Sequence, residues 1–282
     1  MTEMIDRLDE ISGRFDAIVF DQWGVLHDGT TPYNGVPEAV GALAASGKTL
    51  AVLSNSGKRS APNAKRIAEK GYPSSWFSQV MTSGEALWLD LADAGDELRL
   101  LPIVREHGDA EAWADGLGNV SLTQTPQDAD GILLMGLPDA GADEHVARAL
   151  AAALADKIPI YCSNPDRASP RAGGLTVVSP GELAHRQKDA GGMVHFYGKP
   201  HRPIFDRLQT ELGVAPNRIL MVGDSLEHDI AGARAAGWSS LFVEGGLHAS
   251  HFPAGKSRSD CLADLAAAEA APEPDFSIPI VN

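Results

Sequence analysis

The chain has 282 residues, 44% hydrophobic and 22% charged, which excludes wholesale disorder and leaves room for a large core and two domains. A formal net charge of −15 argues against nucleic acid or an acidic membrane surface as a partner, so an anionic substrate has to be held by local groups. Two cysteines, Cys162 and Cys261, lie far apart in no metal-type spacing, and no segment reads as a signal peptide or a membrane span. A cytoplasmic protein with packed thiols is expected.

Met1 to Ser12 reads as a short amphipathic helix with Met4, Ile5, Leu8 and Ile11 on one side. The apolar run from Phe15 to Phe20 reads as a buried parallel strand ending on Asp21, then breaking at Gly24. Asp28-Gly29 signals a hairpin, a small flap over the end of that strand. Pro37 to Ser46 is predicted helical and closed by Gly47. The strand Thr49 to Leu53 delivers Ser54-Asn55-Ser56-Gly57, and the helix Ala61 to Lys70 stops at Gly71. Gln79 to Thr82 is a third short strand, with Ser83 capping the helix Gly84 to Leu91.

From Arg99 to about Gly191 a second βα series runs, with strands at 100–104, 119–123, 131–135, 158–162 and 175–178 and a helix between Asp143 and Ala155. It reads as an inserted domain hinged near Thr82-Ser83-Gly84 and Gly191-Gly192. His195-Phe196-Tyr197 is expected to return to the first sheet and present Gly198-Lys199-Pro200. A helix at 203–212, the strand Arg218 to Val222 with Gly223-Asp224-Ser225 after it, a helix at 229–236 and a last strand at 240–243 complete that sheet. Cys261 to Ala271 is helical, and the tail from Pro272 is extended. The fold class is α/β: a Rossmann-like parallel-sheet core, residues 1–82 and 193–282, with an inserted α/β domain at 83–192.

In an open α/β sheet, ligands sit just beyond the carboxyl ends of the strands. An Asp at such a point also starts turns, and the stretch around Asp21 alone leaves both readings open. The other strand ends decide, because Ser54, Lys199 and Asp224 are predicted at the same edge. Two carboxylates, Asp21 and Asp224, suit a hard cation such as Mg²⁺. Ser54 offers a hydrogen bond to a phosphoryl oxygen, and Lys199 a point charge. Asp229 holds a metal-bound water, orients Lys199, or is a helix-start carboxylate favoured by the helix dipole.

The set Asp21-Gln22-Trp23-Gly24-Val25, Leu53-Ser54-Asn55-Ser56, Gly198-Lys199-Pro200 and Val222-Gly223-Asp224-Ser225 with Asp229 resembles the four motifs of the haloacid dehalogenase-like phosphatases. The insertion between the second and third motifs, with Asn164-Pro165-Asp166 inside it, is similar to the class IIA, NagD-type branch. The resemblance implies a nucleophile at Asp21 that forms an aspartyl-phosphate, which water hydrolyses. It implies Mg²⁺ on the Asp21 and Asp224 carboxylates and the Trp23 carbonyl, with Asp229 beside them. It implies phosphoryl binding by Ser54 and Lys199, with help from Asn55 and Ser56, and an insertion that acts as a cap selecting the leaving group. A small phosphorylated metabolite, of the sugar or nucleotide phosphate class, is the implied substrate, and such a cap is compatible with a homodimer.

One departure stands out. Most phosphatases of this kind carry a second aspartate two residues after the nucleophile, as general acid and base, and here that residue is Trp23. An indole exchanges no protons in this role, and losing general acid–base help costs a factor of about 10²–10⁴. His27 and Asp28 are candidates for recruitment and also plain turn residues. Transfer to an acceptor other than water, and a phosphometabolite-binding sensor with little turnover, are the alternatives that Trp23 leaves open. Asn164, Asp166 and Arg167, with Arg171 nearby, are candidates for contacts to the rest of the substrate, or a solvated Asn-Pro turn. His185 reads as a surface or packed histidine. Gly255-Lys256-Ser257 lacks the earlier glycine of a phosphate-binding loop, and His248 with His251 lacks a third ligand.

Overall fold

The computed structural model describes residues 2–138, 141–170 and 176–282. Among these, the strands in chain order are β1 Glu3–Met4, β2 Ala17–Phe20, β3 Thr49–Ser54, β4 Gln79–Thr82, β5 Leu98–Ile103, β6 Val120–Leu122, β7 Gly131–Leu134, β8 Ile160–Cys162, β9 Ala168–Pro170, β10 Thr176–Val178, β11 Val194–Phe196, β12 Ile219–Gly223, β13 Ser239–Val243 and β14 Phe276–Ile278. The chain divides into two compact units. The first comprises Met1–Ser54, Ala61–Met81 and Lys199–Asn282, and the second Asn55–Ser60 and Thr82–Gly198.

The first unit is built on a seven-stranded sheet of order β1-β14-β13-β12-β2-β3-β4. From β1 through to β3 the paired strands run parallel. Every residue of β2 and β12 is buried, which is why both read as unbroken apolar runs. Ile18, Phe20, Leu50, Val52, Leu220 and Val222 belong to one core cluster, joined by Ile5, Leu8 and Ile11 from the N-terminal segment. That segment corrects the expected helix. Glu3–Met4 pairs with β14, and only Asp9–Ser12 is helical. The apolar spacing reports burial correctly and misses the extended start, because the partner strand is more than 270 residues away. In chain order the last strand of the sheet is likewise β14 rather than β13, inside the stretch read as an extended tail.

The second unit carries a five-stranded parallel sheet of order β11-β8-β7-β5-β6. It also holds the antiparallel pair β9–β10, so the strand expected at 175–178 stands outside the larger sheet. β11 pairs with β8, which corrects the expectation that His195-Phe196-Tyr197 returns to the first sheet. The junction accordingly falls at Gly198/Lys199 instead of after Gly192, and Asn55–Ser60 belongs to the second unit as well. A three-residue strand has too little pattern to show which of two parallel sheets it joins. Thr82, not Ser83, caps the helix Ser83–Ala94 by accepting from the Glu85 N–H. No helix among the described residues is long and apolar enough to cross a membrane.

Candidate active site

The three neighbouring strands β12, β2 and β3 end side by side. Phe20 lies in register with Val222 and Val52, so Asp21, Asp224 and Ser54 leave the same edge of the sheet. The Asp21 N–H continues the ladder by donating to the Val222 carbonyl at 2.9 Å. Asp229 lies on the π-type turn Leu226–Ile230 that follows Asp224 and is completely buried. Lys199 begins the third segment of the first unit, shortly before the helix Arg202–Leu212, and is not carried by a strand end of this sheet.

Lys199 Nζ donates to Asp21 Oδ1 at 2.6 Å and to Asp229 Oδ1 at 2.7 Å. Asp229 Oδ2 accepts from the Ser225 N–H, so both of its oxygens are engaged. A helix-dipole account of Asp229 therefore gives way to a direct pairing with Lys199. Burial opposes the Lys199 charge, but Asp21 and Asp229 outweigh it and hold the ammonium above the ordinary lysine value. On the acid side the balance is reversed. Burial pushes the Asp21 carboxyl up to about 6, with Lys199 opposing and Asp229 adding to the shift. Burial, then the charges of Asp21 and Asp229, raise Asp224 well above the usual carboxylate value.

Three carboxylates with one ammonium leave excess negative charge in a dry place, and that is a condition a cation relieves. One oxygen each from Asp21, Asp224 and Asp229 lies within 4.8 Å of the others. The donor set is all hard oxygen, which suits a divalent cation of the Mg²⁺ or Ca²⁺ type rather than a thiolate-seeking metal. Gly24 makes room for the cluster. Its φ is +78°, and a Cβ there would lie 1.6 Å from Asp224 Oδ2. The Leu247 N–H donates to that same oxygen at 2.7 Å. This contact was not expected from the sequence, although Gly245-Gly246 just beyond β13 is the kind of signal that marks a close backbone approach.

A family model described as haloacid dehalogenase-like hydrolase matches residues 18–117, and one described as HAD-hydrolase-like matches residues 196–274. A hydrolase of the haloacid dehalogenase-like family from Brucella suis superposes with a TM-score of 0.79 at 28% identity, covering 99% of this chain and 100% of that one. The chain belongs to the haloacid dehalogenase-like hydrolases. The glycerol-3-phosphate phosphatase of Gallus gallus is 28% identical over 279 residues, 88% of this chain and 85% of the relative. A glycerol phosphate phosphatase from Mycobacterium tuberculosis, in complex with calcium, superposes with a TM-score of 0.67 at 25% identity, over 84% of this chain and 68% of that one.

Within this hydrolase the other candidate residues fall in different places. Trp23 is 48% exposed, and its indole meets the His27 ring edge-to-face at 5.7 Å. His27 is buried, and its Nδ1 accepts from the Gly29 N–H. Burial, then the charge of Lys70, drives its pKa down to about 4, with Asp28 opposing. Asp28 accepts from the Thr30 and Thr31 N–H groups and the Thr31 hydroxyl, so both recruits are occupied as turn residues. Asn55 belongs to the second unit, where its Nδ2 donates to Asp166 Oδ1 at 2.6 Å. Ser56 Oγ accepts from the Lys58 N–H, and Asn164 Oδ1 from the Asp166 N–H. Arg167 pairs with Glu182 on the surface, and Arg171 lies outside the described residues. His185 packs on Phe196 at 4.6 Å, and Ser257 caps the helix Arg258–Ala268. His248 faces Glu269 at 3.4 Å. Cys162 and Cys261 are buried free thiols.

Proposed function

We propose that this chain is a phosphatase, dependent on a divalent cation such as Mg²⁺, that hydrolyses a small phosphorylated metabolite through an aspartyl-phosphate at Asp21. The observation that carries the reading is the Lys199 ammonium held between Asp21 and Asp229 beside the Asp224 carboxylate. The glycerol-phosphate phosphatases among its relatives support a small phosphate ester as substrate.

Asp21 is the nucleophile because it alone of the three acids is partly accessible and sits at the end of the central strand pair β12–β2. An Asp21 oxygen attacks phosphorus, the ester oxygen departs with its electron pair, and water then releases phosphate from the acyl group. The Asp21 and Asp224 carboxylates and the Trp23 carbonyl would hold the cation, which offsets charge so that an anionic nucleophile can approach an anionic ester. Lys199 stabilises negative charge on the transferring group, and Asp229 orients Lys199. Ser54, at the end of β3, supplies a hydrogen bond to a phosphoryl oxygen.

The test is Mg²⁺-dependent release of inorganic phosphate across a panel of phosphate esters, with Asp21→Asn as control. Release that persists in Asp21→Asn, or no release from any ester, overturns the reading. A second reading, phosphometabolite binding with little turnover, rests on Trp23 at the acid–base position. Tight binding by calorimetry without acid-stable trapping of phosphate on the protein would favour it.

A further inference from the structure

A further buried carboxylate stands at a strand end of the first sheet. Glu244 directly follows β13 and is 4% exposed. An apolar strand closing on an acid is the pattern that marks Asp21, yet the carboxylates that cluster are those of Asp21, Asp224 and Asp229. Glu244 is committed elsewhere. Arg258 Nε donates to its Oε1 at 2.9 Å and its Oε2 at 3.0 Å, and the Ser277 hydroxyl donates to Oε1 at 2.7 Å.

Arg258 opens the helix Arg258–Ala268, and the rest of its guanidinium holds the surrounding chain. Nη1 donates to Asp6 Oδ1 at 2.9 Å, and Nη2 to the Ile5 and Ser277 carbonyls at 3.0 and 3.2 Å. One planar fork thereby joins the N-terminal segment, β14 and Glu244, a task for which a lysine has the wrong shape. All of these residues lie in the first unit.

Glu244 leads directly to the acid cluster. Its N–H donates to the Ile278 carbonyl, and the Gly245 N–H to the Pro279 carbonyl, each at 2.9 Å, so the chain stays bonded to the β14 side past Val243. It then passes Gly246, where a Cβ would overlap Asp224 Oδ2 and lie 2.6 Å from the Gly24 carbonyl oxygen. Gly246 is not among the glycines of positive φ, so the position requires the missing side chain rather than a left-handed backbone. One residue on, the Leu247 N–H donates to Asp224 Oδ2 at 2.7 Å.

That donor is held from its two ends, because the Leu247 side chain is 66% exposed. On the far side His248 faces Glu269 at 3.4 Å, too long for a strong hydrogen bond. On the near side Glu244 accepts three bonds of 2.7–3.0 Å, two of them from a guanidinium.

Resting on the phosphatase reading, we infer that Glu244 and Arg258 are positioning residues: their ion pair fixes the turn Gly245-Gly246-Leu247, and the turn aims the Asp224 carboxylate for the divalent cation. Neither touches the reacting atoms. They act through the Leu247 N–H, which restrains rotation of the Asp224 carboxylate.

Glu244→Gln keeps the shape and removes the charge. Arg258→Lys is the milder change and carries the test if Glu244→Gln does not fold. Calorimetric titration with Mg²⁺ should show affinity about tenfold lower in each variant, the loss usual when a group supporting a metal ligand is removed. At saturating Mg²⁺, kcat should return to within about twofold of wild type, because the acids and Lys199 are intact. The Leu247 amide, followed by NMR in the metal-free protein, should exchange with solvent faster in both. Asp16→Asn, which breaks the exposed Arg218–Asp16 pair of the same unit, should leave Mg²⁺ affinity unchanged and serves as the control for general loosening. Gly246→Ala displaces Asp224 without touching the ion pair. Combined with Glu244→Gln, it should lower affinity by less than the product of the two single effects.

Unchanged affinity in a folded Glu244→Gln or Arg258→Lys protein overturns the inference while the phosphatase reading stands. So does an equal loss in Asp16→Asn, a full multiplication of effects with Gly246→Ala, or a kcat that stays low at saturating Mg²⁺. A wild-type protein that neither binds Mg²⁺ nor releases phosphate overturns both.

Discussion

The Lys199 ammonium and the Asp229 carboxylate lie 2.7 Å apart, and both side chains are almost wholly shut away from solvent. Lys199 is shared with Asp21, so the pair does more than neutralise charge: Asp229 sets where the ammonium sits relative to the Asp21 carboxylate. Asp229→Asn keeps the shape and removes the charge. Removing one partner of a buried ion pair typically costs about 3 kcal/mol or more, here softened by Asp21. Denaturant unfolding should show a loss of about 2–3 kcal/mol, and kcat should fall about 10²-fold. An unchanged kcat in a folded Asp229→Asn protein would remove Asp229 from the mechanism.

The acid cluster makes a prediction about pH and metal together. Burial pushes Asp21 up to about 6 and raises Asp224, so the folded metal-free protein holds protons that the unfolded chain releases. Stability from these groups is fully present below the unfolded value near 4 and is lost as pH rises through about 6, by on the order of 2–3 kcal/mol for Asp21. A divalent cation held by the ionised carboxylates would reverse that loss. The stabilisation that Mg²⁺ adds over a chelator should therefore be larger at pH 8 than at pH 5, by roughly 5 °C in Tm. His27, depressed to about 4, gives an opposite slope of its own, but it is present with and without the cation and cancels in the difference. Equal increments at the two pH values would mean that the cluster is not the binding site.

Gly24 ties the loop to the cluster. Alanine there meets two obstacles, a φ of +78° and a Cβ position 1.6 Å from Asp224 Oδ2. The strain is worth about 1–3 kcal/mol, and Asp224 is what must move. Gly24→Ala should fold, with circular dichroism close to wild type. Its Mg²⁺ affinity, measured by calorimetry, should fall at least about tenfold, in line with disturbed metal sites. Wild-type affinity in Gly24→Ala would show that the Asp224 carboxylate does not need its present position.

How much of the fold and the site is legible in the sequence differs by residue. Asp21 and Asp224 end fully buried strands, and an unbroken apolar run closing on a carboxylate states its own position. The sequence places Lys199 beside Asp21 by way of a strand of the first sheet, and that topology is wrong, since β11 belongs to the other sheet. Its placement depends on which sheet a three-residue strand joins, and periodicity does not encode that. Asn55 and Asp166 both read from the sequence as substrate contacts. Their hydrogen bond to each other spans 111 positions, a pairing that local sequence cannot show. Leu247 was missed because its contribution is a backbone N–H and an exposed side chain, neither of which leaves a motif.

Trp23 carries the sharpest remaining prediction. The missing acid–base group affects two steps unequally. With an acidic leaving group the first step needs no proton, so Asp21 is phosphorylated quickly. The second step still needs water to be activated, and among the described residues His27 and Asp28 are both held in the turn. Aryl esters should therefore give a burst of one aryl alcohol per active site, followed by slow turnover, and phosphate should accumulate on Asp21. Trp23→Asp places a carboxylate where the indole stands. General base help at this position is worth up to about 10²–10⁴, so the steady-state rate should rise at least tenfold and the burst should disappear. The gain should be greatest for glycerol phosphate, which needs the acid as well as the base. A variant with no faster steady state would show that the position of Trp23 does not limit turnover through a missing acid–base group.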